Sequence, residues 1–264
     1  LLDQIEIIKK GEFEEWILPA IVTDFKKSEK AGLESNRSRV SEMRDAFISY
    51  EDWDHAVASL DRMDKLTKAD IVRVANTYFG ENFVAGYRRD AQHEVPKINK
   101  PQIDKIEIDP TRQSTFAVAV RALPVEEIEP VFVDPDKDYQ TTTYAKGATL
   151  YYSKNPINDL FSLSVQVDLG TRQDRRMSFA ADLLDKAGAG DVSSEDLKKE
   201  WYKLGTDFAF SAGDQSSSIT ISGLDENFDA SLALAMTLIK KPSVDDETLD
   251  ELKYAAEMGY DGIC

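Results

Sequence analysis

Phe161-Ser-Leu-Ser-Val-Gln-Val-Asp-Leu169 alternates apolar and polar residues without a break, and Gly170 ends the run. A period of two sets Phe161, Leu163, Val165, Val167 and Leu169 on one face of a strand, which predicts a sheet buried on one side and wet on the other. Behind it, Met177, Ala180, Leu183, Leu184 and Ala187 recur at helical spacing up to Gly188-Ala-Gly190, predicting a helix. Ser193 to Asp196 has the form of a capping box, opening a helix through Leu197, Trp201 and Leu204. Two strands follow, Phe208-Ala-Phe210 and Ile219-Thr-Ile221, turning around Gly213-Asp-Gln215; a helix then runs from about Asn227 to Ile239 until Pro242 stops it. Ahead of the decisive strand, Ala148-Thr-Leu-Tyr-Tyr152 reads as another, after Lys146-Gly147. This order predicts an α+β fold, a mostly antiparallel sheet with helices packed on one face.

The N-terminal third is helical in pattern. Leu1-Leu-Asp-Gln-Ile-Glu-Ile-Ile8 reads as a helix already under way, and Pro19 suits the first turn of a second, with Ile21, Val22 and Phe25 along it and Gly32 at its stop. Val40, Met43, Phe47 and Ile48 share a helix face; Trp53, Val57 and Leu60 suggest a further helix. Thr67-Lys-Ala-Asp70 is a capping box with Asp in the usual Glu place, leading a helix with Ile71, Val74 and Ala75 inward and Gly80 beyond its end. Phe83-Val-Ala-Gly-Tyr87 reads as a strand. From about 91 to 141, Pro96, Pro101, Pro110, Pro124, Pro130 and Pro135 punctuate an acid-rich stretch that predicts an extended linker. The expected division is therefore 1–90, helical and ending in a strand, 91–141, linker, and 142–264, an α+β layer.

The chain has 264 residues, 42% of them hydrophobic and 31% charged, which fits ordinary globular folding. Its 32 Lys and Arg face 49 Asp and Glu, for a net charge of −17, which repels phosphate backbones and disfavours nucleic acid as a partner. No apolar run approaches the ~18–20 residues a membrane-spanning helix needs; Ala230–Ile239 is short and followed by Lys240 and Lys241. The opening has no basic, apolar and small-residue succession of a signal peptide and no Met, so we read the chain as an internal piece of a longer protein. A signal lying upstream would send the parent to the periplasm or cell envelope; without one it is cytoplasmic.

Residues able to do chemistry are sparse. A single cysteine, Cys264, excludes an internal disulfide and a Cys-rich zinc site, and His55 and His93 are the only imidazoles. Asp134-Pro-Asp136-Lys-Asp138 opens like a calcium loop, but Tyr139 stands where the tight turn needs Gly and Ala145 where a bidentate Glu belongs, so it reads as a solvated acidic stretch. His93-Glu94 beside Val95-Pro96 lacks the helical spacing of a ligand pair, and His55 near a helix start reads as a surface or capping residue. Ser216-Ser-Ser218 lies in no nucleophile elbow and reads as polar strand-edge serines. Gly188-Ala-Gly190 lacks the Lys-Ser/Thr of a phosphate loop. No catalytic, cofactor-binding or metal-ligating residue is assigned.

The run Val167-Asp-Leu-Gly-Thr-Arg172, then Phe179-Ala-Ala-Asp-Leu-Leu-Asp-Lys-Ala-Gly188, Leu204-Gly-Thr-Asp-Phe208 and Gly223-Leu-Asp-Glu-Asn-Phe228 resembles the opening of a peptidase family M16 domain, the family of insulinase- and pitrilysin-type zinc enzymes and of mitochondrial processing peptidase. Gly11-Glu-Phe13 and Leu66-Thr-Lys-Ala-Asp-Ile-Val-Arg-Val-Ala-Asn-Thr-Tyr-Phe79 resemble the close of such a domain pair. The resemblance implies an inverted zinc motif, H-x-x-E-H, on the helix after the Gly-x-Arg strand, with two zinc-binding histidines and a Glu acting as general base. The matching helix here, Ser178 to Ala187, has neither His nor Glu; Asp182 and Asp185 are its acids. No catalytic residue carries over.

The resemblance implies a chain from the middle of a two-half enzyme, spanning the end of the first half and the start of a degenerate second one. Three readings follow: a non-catalytic segment of a zinc metalloendopeptidase walling a peptide chamber, with zinc expected in the parent and none in this chain; an inactive scaffold subunit paired with an active partner; or a stand-alone module binding extended peptides at a sheet edge. The expected partners are peptide substrates and the remaining parts of the parent.

Overall fold

The computed structural model describes residues 1–88, 97–144 and 147–261. The His93-Glu94 pair, Lys146 and Cys264 lie outside the described residues. Packing separates the chain into two units: Leu1–Asn82 packs with the residues from Asn155 onward, and Phe83–Lys154 forms the other.

In the first unit, helices α1 (Leu2–Lys10), α2 (Ile17–Gly32), α3 (Asn36–Ile48), α4 (Trp53–Val57), α5 (Ser59–Met63) and α6 (Lys68–Tyr78) come first. The capping box at α6 is formed as read: the Thr67 side chain accepts from the Asp70 backbone N–H, and the Asp70 carboxylate accepts from the Thr67 N–H. Asn76 Nδ2 donates to the Lys9 carbonyl at 2.8 Å, tying α6 to the end of α1. The helix expected over Trp53–Leu60 is split into α4 and α5 at Ala58. Helix α3 forms where expected, but its apolar stripe faces solvent: Phe47 is 82% exposed, and the buried residue is Ala46 on the other side. On α6, Ala75 is buried while Val74 stays exposed.

The C-terminal part of this unit holds the sheet. Strands β3 (Leu160–Val167), β6 (Ser217–Leu224) and β5 (Asp207–Ala212) run antiparallel in that order. Leu163 sits opposite Ile221, which sits opposite Phe208, so the alternation read in the sequence becomes one apolar face across three strands. Helices α8 (Arg176–Lys186), α9 (Ser194–Leu204) and α10 (Phe228–Lys240) pack around that face. The core is Ala187, Ala189, Leu197, Trp201, Ile221, Ala235 and Leu238, with Phe161, Leu163, Leu184, Phe208 and Leu232 against it. Trp201 stacks on Phe208 at 5.7 Å, and Phe161 meets Phe228 edge-on at 5.0 Å. The opposite face carries Ser162, Ser164, Ser218 and Thr220, polar groups that need no burial. A two-residue pair, β4 (Gly188–Ala189) with β7 (Pro242–Ser243), closes the edge between α8 and α10, and α11 (Asp246–Asp261) follows.

Among the described residues, buried hydroxyls are fully paired. Thr206 and Ser231 share a hydrogen bond of 2.6 Å, Ser231 donates on to the Asn227 carbonyl at 2.7 Å, and Asn227 Nδ2 donates to the Leu204 carbonyl at 2.9 Å. This chain locks the end of α9 to the start of α10, since a buried polar group without a partner costs about 1–3 kcal/mol.

The second unit departs from the expected linker in two places. Ser114 caps a short helix, α7 (Thr115–Arg121), by accepting from the Ala117 N–H at 3.1 Å. Gln140–Thr143 forms strand β1, paired antiparallel with β2 (Thr149–Tyr152), so the last part of the proline-rich stretch is sheet. Proline and acid content hid both, because a single hydroxyl cap and a four-residue strand leave little periodicity. The strand expected at Phe83–Tyr87 is not formed: no ladder reaches it among the described residues, and Val84 is fully exposed. An isolated strand leaves its backbone groups to water and has no cooperative gain.

Gly188 tests the packing at β4. A Cβ there would lie 2.3 Å from the Val192 carbonyl oxygen, whereas one on Gly32 meets nothing within 4 Å. Gly188→Ala is expected to destabilise the chain by about 1–3 kcal/mol through overpacking. Gly32→Ala is expected to be neutral or to stabilise by up to about 1 kcal/mol. Urea unfolding followed by circular dichroism reads both.

Candidate functional site

The place to look for chemistry is the junction of β3 with α8, where the resemblance sets a zinc motif. The connection is held from both sides. Thr171 N–H donates to the Gly213 carbonyl at 2.9 Å and Arg172 N–H to the Asp214 carbonyl at 3.0 Å, docking it onto the β5–β6 turn. Gly170 permits the approach: a Cβ there would lie 2.5 Å from the carbonyl oxygens of both Gly213 and Asp214. Ser217 Oγ donates to the Leu169 carbonyl at 2.6 Å from within the fold. Arg172 pairs with Asp214 at 3.2 Å on the surface.

Asp174 then sets the entry to α8. Its carboxylate accepts from Arg176 Nε at 2.9 Å and from the Arg176 backbone N–H at 3.0 Å. The side-chain hydrogen bonds from Arg176, with its backbone N–H, hold the Asp174 carboxyl well below the usual range, at about 2.

On α8 itself, Asp182 and Asp185 are both exposed, and the apolar residues Met177, Ala180, Leu183 and Leu184 are half-buried toward the sheet. Two surface carboxylates without an imidazole do not match the nitrogen-rich donor set of a catalytic zinc centre. Among the described residues no group of three or more His, Cys, Asp and Glu is placed to hold a metal ion. The residues present do not fit the family's zinc.

The other candidates each have local partners. His55 Nδ1 lies 2.8 Å from Glu51 Oε1, and its backbone N–H is capped by Asp52 at 3.2 Å. Asp134 accepts from the Asp136 N–H at 3.1 Å and pairs with Lys137, whose hydrogen bond lowers its pKa, while Asp138 accepts from the Asp134 N–H at 2.6 Å. The acidic run is therefore a self-capped turn. Ser218 bonds Ser211 across the strands at 2.9 Å.

Sequence reading missed the polar seam between α2 and the sheet. Lys27 Nζ reaches both Asp207 oxygens at 3.0 Å and Asp24 at 3.3 Å. Burial pulls the Lys27 pKa down, but the hydrogen bonds and charges of Asp207 and Asp24 outweigh it and leave it raised. Lys30 pairs with Asp159, and Asn158 Nδ2 donates to the Lys30 carbonyl at 3.2 Å. These partners lie far apart in sequence, and no local pattern announces them.

No protein-family model and no curated protein matches the chain. Solved structures do resemble it. A peptidase M16 inactive domain from Pseudomonas fluorescens is 20% identical, with a TM-score of 0.42 over 47% of this chain and 31% of that one. The ferredoxin protease FusC, in complex with Arabidopsis ferredoxin, is 10% identical with a TM-score of 0.42, covering 96% of this chain and 32% of its own. The periplasmic protease PqqL from Escherichia coli is 12% identical with a TM-score of 0.41, covering 91% and 31%. The chain thus spans about a third of the length of each.

Because Asp174 titrates low in the folded state, its interactions stabilise the fold above the ordinary carboxylate range, and that contribution is lost as pH falls from about 4 toward 2. A carbon-detected NMR titration should place the Asp174 midpoint near 2 in the native chain, and Arg176→Ala should return it toward the ordinary value. The described residues form an α+β fold, a three-stranded antiparallel sheet with helices packed on its apolar face.

Proposed function

We propose that the chain is a non-catalytic segment of an M16-type zinc metalloendopeptidase, forming part of the wall that encloses the peptide substrate. The observation that supports this reading is the β3–α8 unit: its glycine-docked turn and the helix after it resemble the opening of such a domain in hydrophobic order and glycine placement, while the helix lacks both imidazoles and the general base. The chain's divisions at 1–90, 91–141 and 142–264 are read as the end of one half, the connecting segment and the start of the degenerate half. Zinc and hydrolysis belong to the parent's other half, and the partners are peptides and the remaining parts of the parent.

The net charge of −17 bears on which peptides such a wall favours. An acidic lining concentrates basic peptides near it, within a screening length of about 8 Å at physiological salt. The wall then acts through shape and field, and the chemistry lies elsewhere.

The test is metal content and turnover together. Elemental analysis of the purified chain should find no stoichiometric zinc, and a fluorogenic peptide library should remain uncleaved with or without chelator. Chelator-sensitive cleavage by this chain overturns the proposal.

A further inference from the structure

Strand β3 is an edge of its sheet, since the order is β3–β6–β5. The side to which each of its backbone groups points is fixed at one end. The Asp225 N–H donates to the Asp159 carbonyl at 2.8 Å, toward β6. The next residue, Leu160, turns the other way: its N–H donates to Asn158 Oδ1 at 3.1 Å and its carbonyl accepts from Asn155 Nδ2 at 3.1 Å. In a strand the N–H and C=O of one residue point to the same side, and successive residues alternate. Phe161, Leu163, Val165 and Val167 therefore bond to β6, while Ser162, Ser164 and Gln166 aim their backbone groups away from it. No backbone hydrogen bond meets those three residues on that side among the described residues.

Open edges are normally guarded by a charge, a proline, a bulge or a very short strand. Strand β3 has none of these: its eight residues run in unbroken register with β6, and Leu160–Val167 carries neither charge nor proline. Beside the open edge the apolar face is also incomplete, for Val165 is 50% and Val167 52% exposed while Phe161 and Leu163 pack against the core. In a chain of net charge −17 this neutral stretch can meet an equally acidic molecule without setting charge against charge.

A second copy of the chain answers all of these features. Turned about a two-fold axis through Ser164, β3 of one copy runs antiparallel to β3 of the other, pairing Ser164 with itself and Ser162 with Gln166, all residues whose backbone groups point outward. The same register sets Leu163 opposite Val165 and Phe161 opposite Val167 on the apolar face, so each exposed valine gains an apolar neighbour. Asp168 falls opposite Leu160 and not opposite an acid. We propose that the chain associates through β3 into a two-fold dimer, its two sheets joined as one continuous antiparallel sheet. A ladder this short makes a weak, concentration-dependent dimer. The proposal rests on the sheet alone and does not depend on the metallopeptidase reading.

Sedimentation equilibrium of the full chain tests it, at concentrations up to about 1 mM so that a weak association registers. A concentration-dependent dimer is expected. It should tighten severalfold as ionic strength rises from about 0.01 M to about 0.1 M, because the screening length falls from about 30 Å to about 10 Å and the two acidic bodies repel each other less. Ser164→Pro removes an N–H that the partner strand uses and β6 does not, so it should abolish the dimer and leave the urea unfolding midpoint near that of the parent, a proline being tolerated on an open edge. Ser164→Lys, which sets two ammonium groups across the axis, should have the same effect without altering the backbone. In a Cys264→Ser background, Ser164→Cys should cross-link two copies under mild oxidation severalfold faster than Ser162→Cys, because residue 164 meets itself and residue 162 does not. A chain that stays monomeric throughout, whether or not it captures an extended peptide, overturns the proposal. So does a dimer that survives both Ser164 substitutions, a dimer that weakens with added salt, or equal cross-linking from 162 and 164.

Discussion

Burial of one face of the central strand β6 is the constraint on which the C-terminal half rests. Ile221 is almost wholly buried, with Leu163 and Phe208 on either side and Leu238 and Trp201 behind it. Fully burying such side chains contributes about 1.5–3 kcal/mol each. Helices α9 and α10 have their places because they cover that face. The hydroxyl chain from Thr206 through Ser231 to Asn227 then fixes how they meet.

The N-terminal helices are joined to this core differently. The contact of α2 with the sheet region includes Lys27 with Asp207, Lys30 with Asp159, and Asn158 with the α2 backbone. Polar seams of this kind specify register more than they add stability, since partly exposed pairs contribute about 0–1 kcal/mol each. The same unit leaves the stripe of α3 open to solvent, with Val40, Met43, Phe47 and Ile48 all exposed.

At the β3–α8 junction the fold holds a demanding backbone arrangement. Gly170 makes the approach to the β5–β6 turn possible, and Asp174 with Arg176 sets the helix entry. Scaffold and chemistry are separable properties of a protein, because a fold needs volume and hydrogen bonds while a metal centre needs a particular set of donor atoms. His55, the Asp134 turn and the serine strand each have local hydrogen-bond partners.

The sequence by itself determined the elements whose signals are local: the alternation of Phe161–Leu169, the box at Thr67–Asp70, the cap at Ser193, and the absence of His and Glu from Ser178–Ala187. It also carried the α+β order, because hydrophobic period reports the face an element must bury. Only the tertiary structure decided which apolar faces found cover. Val165 and Val167 share the period of Phe161 and Leu163 yet stay half exposed, α3 turns its stripe outward, and Phe83–Tyr87 gains no ladder. Periodicity states that a face is apolar; whether another element lies against it depends on contacts between residues far apart in the chain, as Lys27 with Asp207 illustrates.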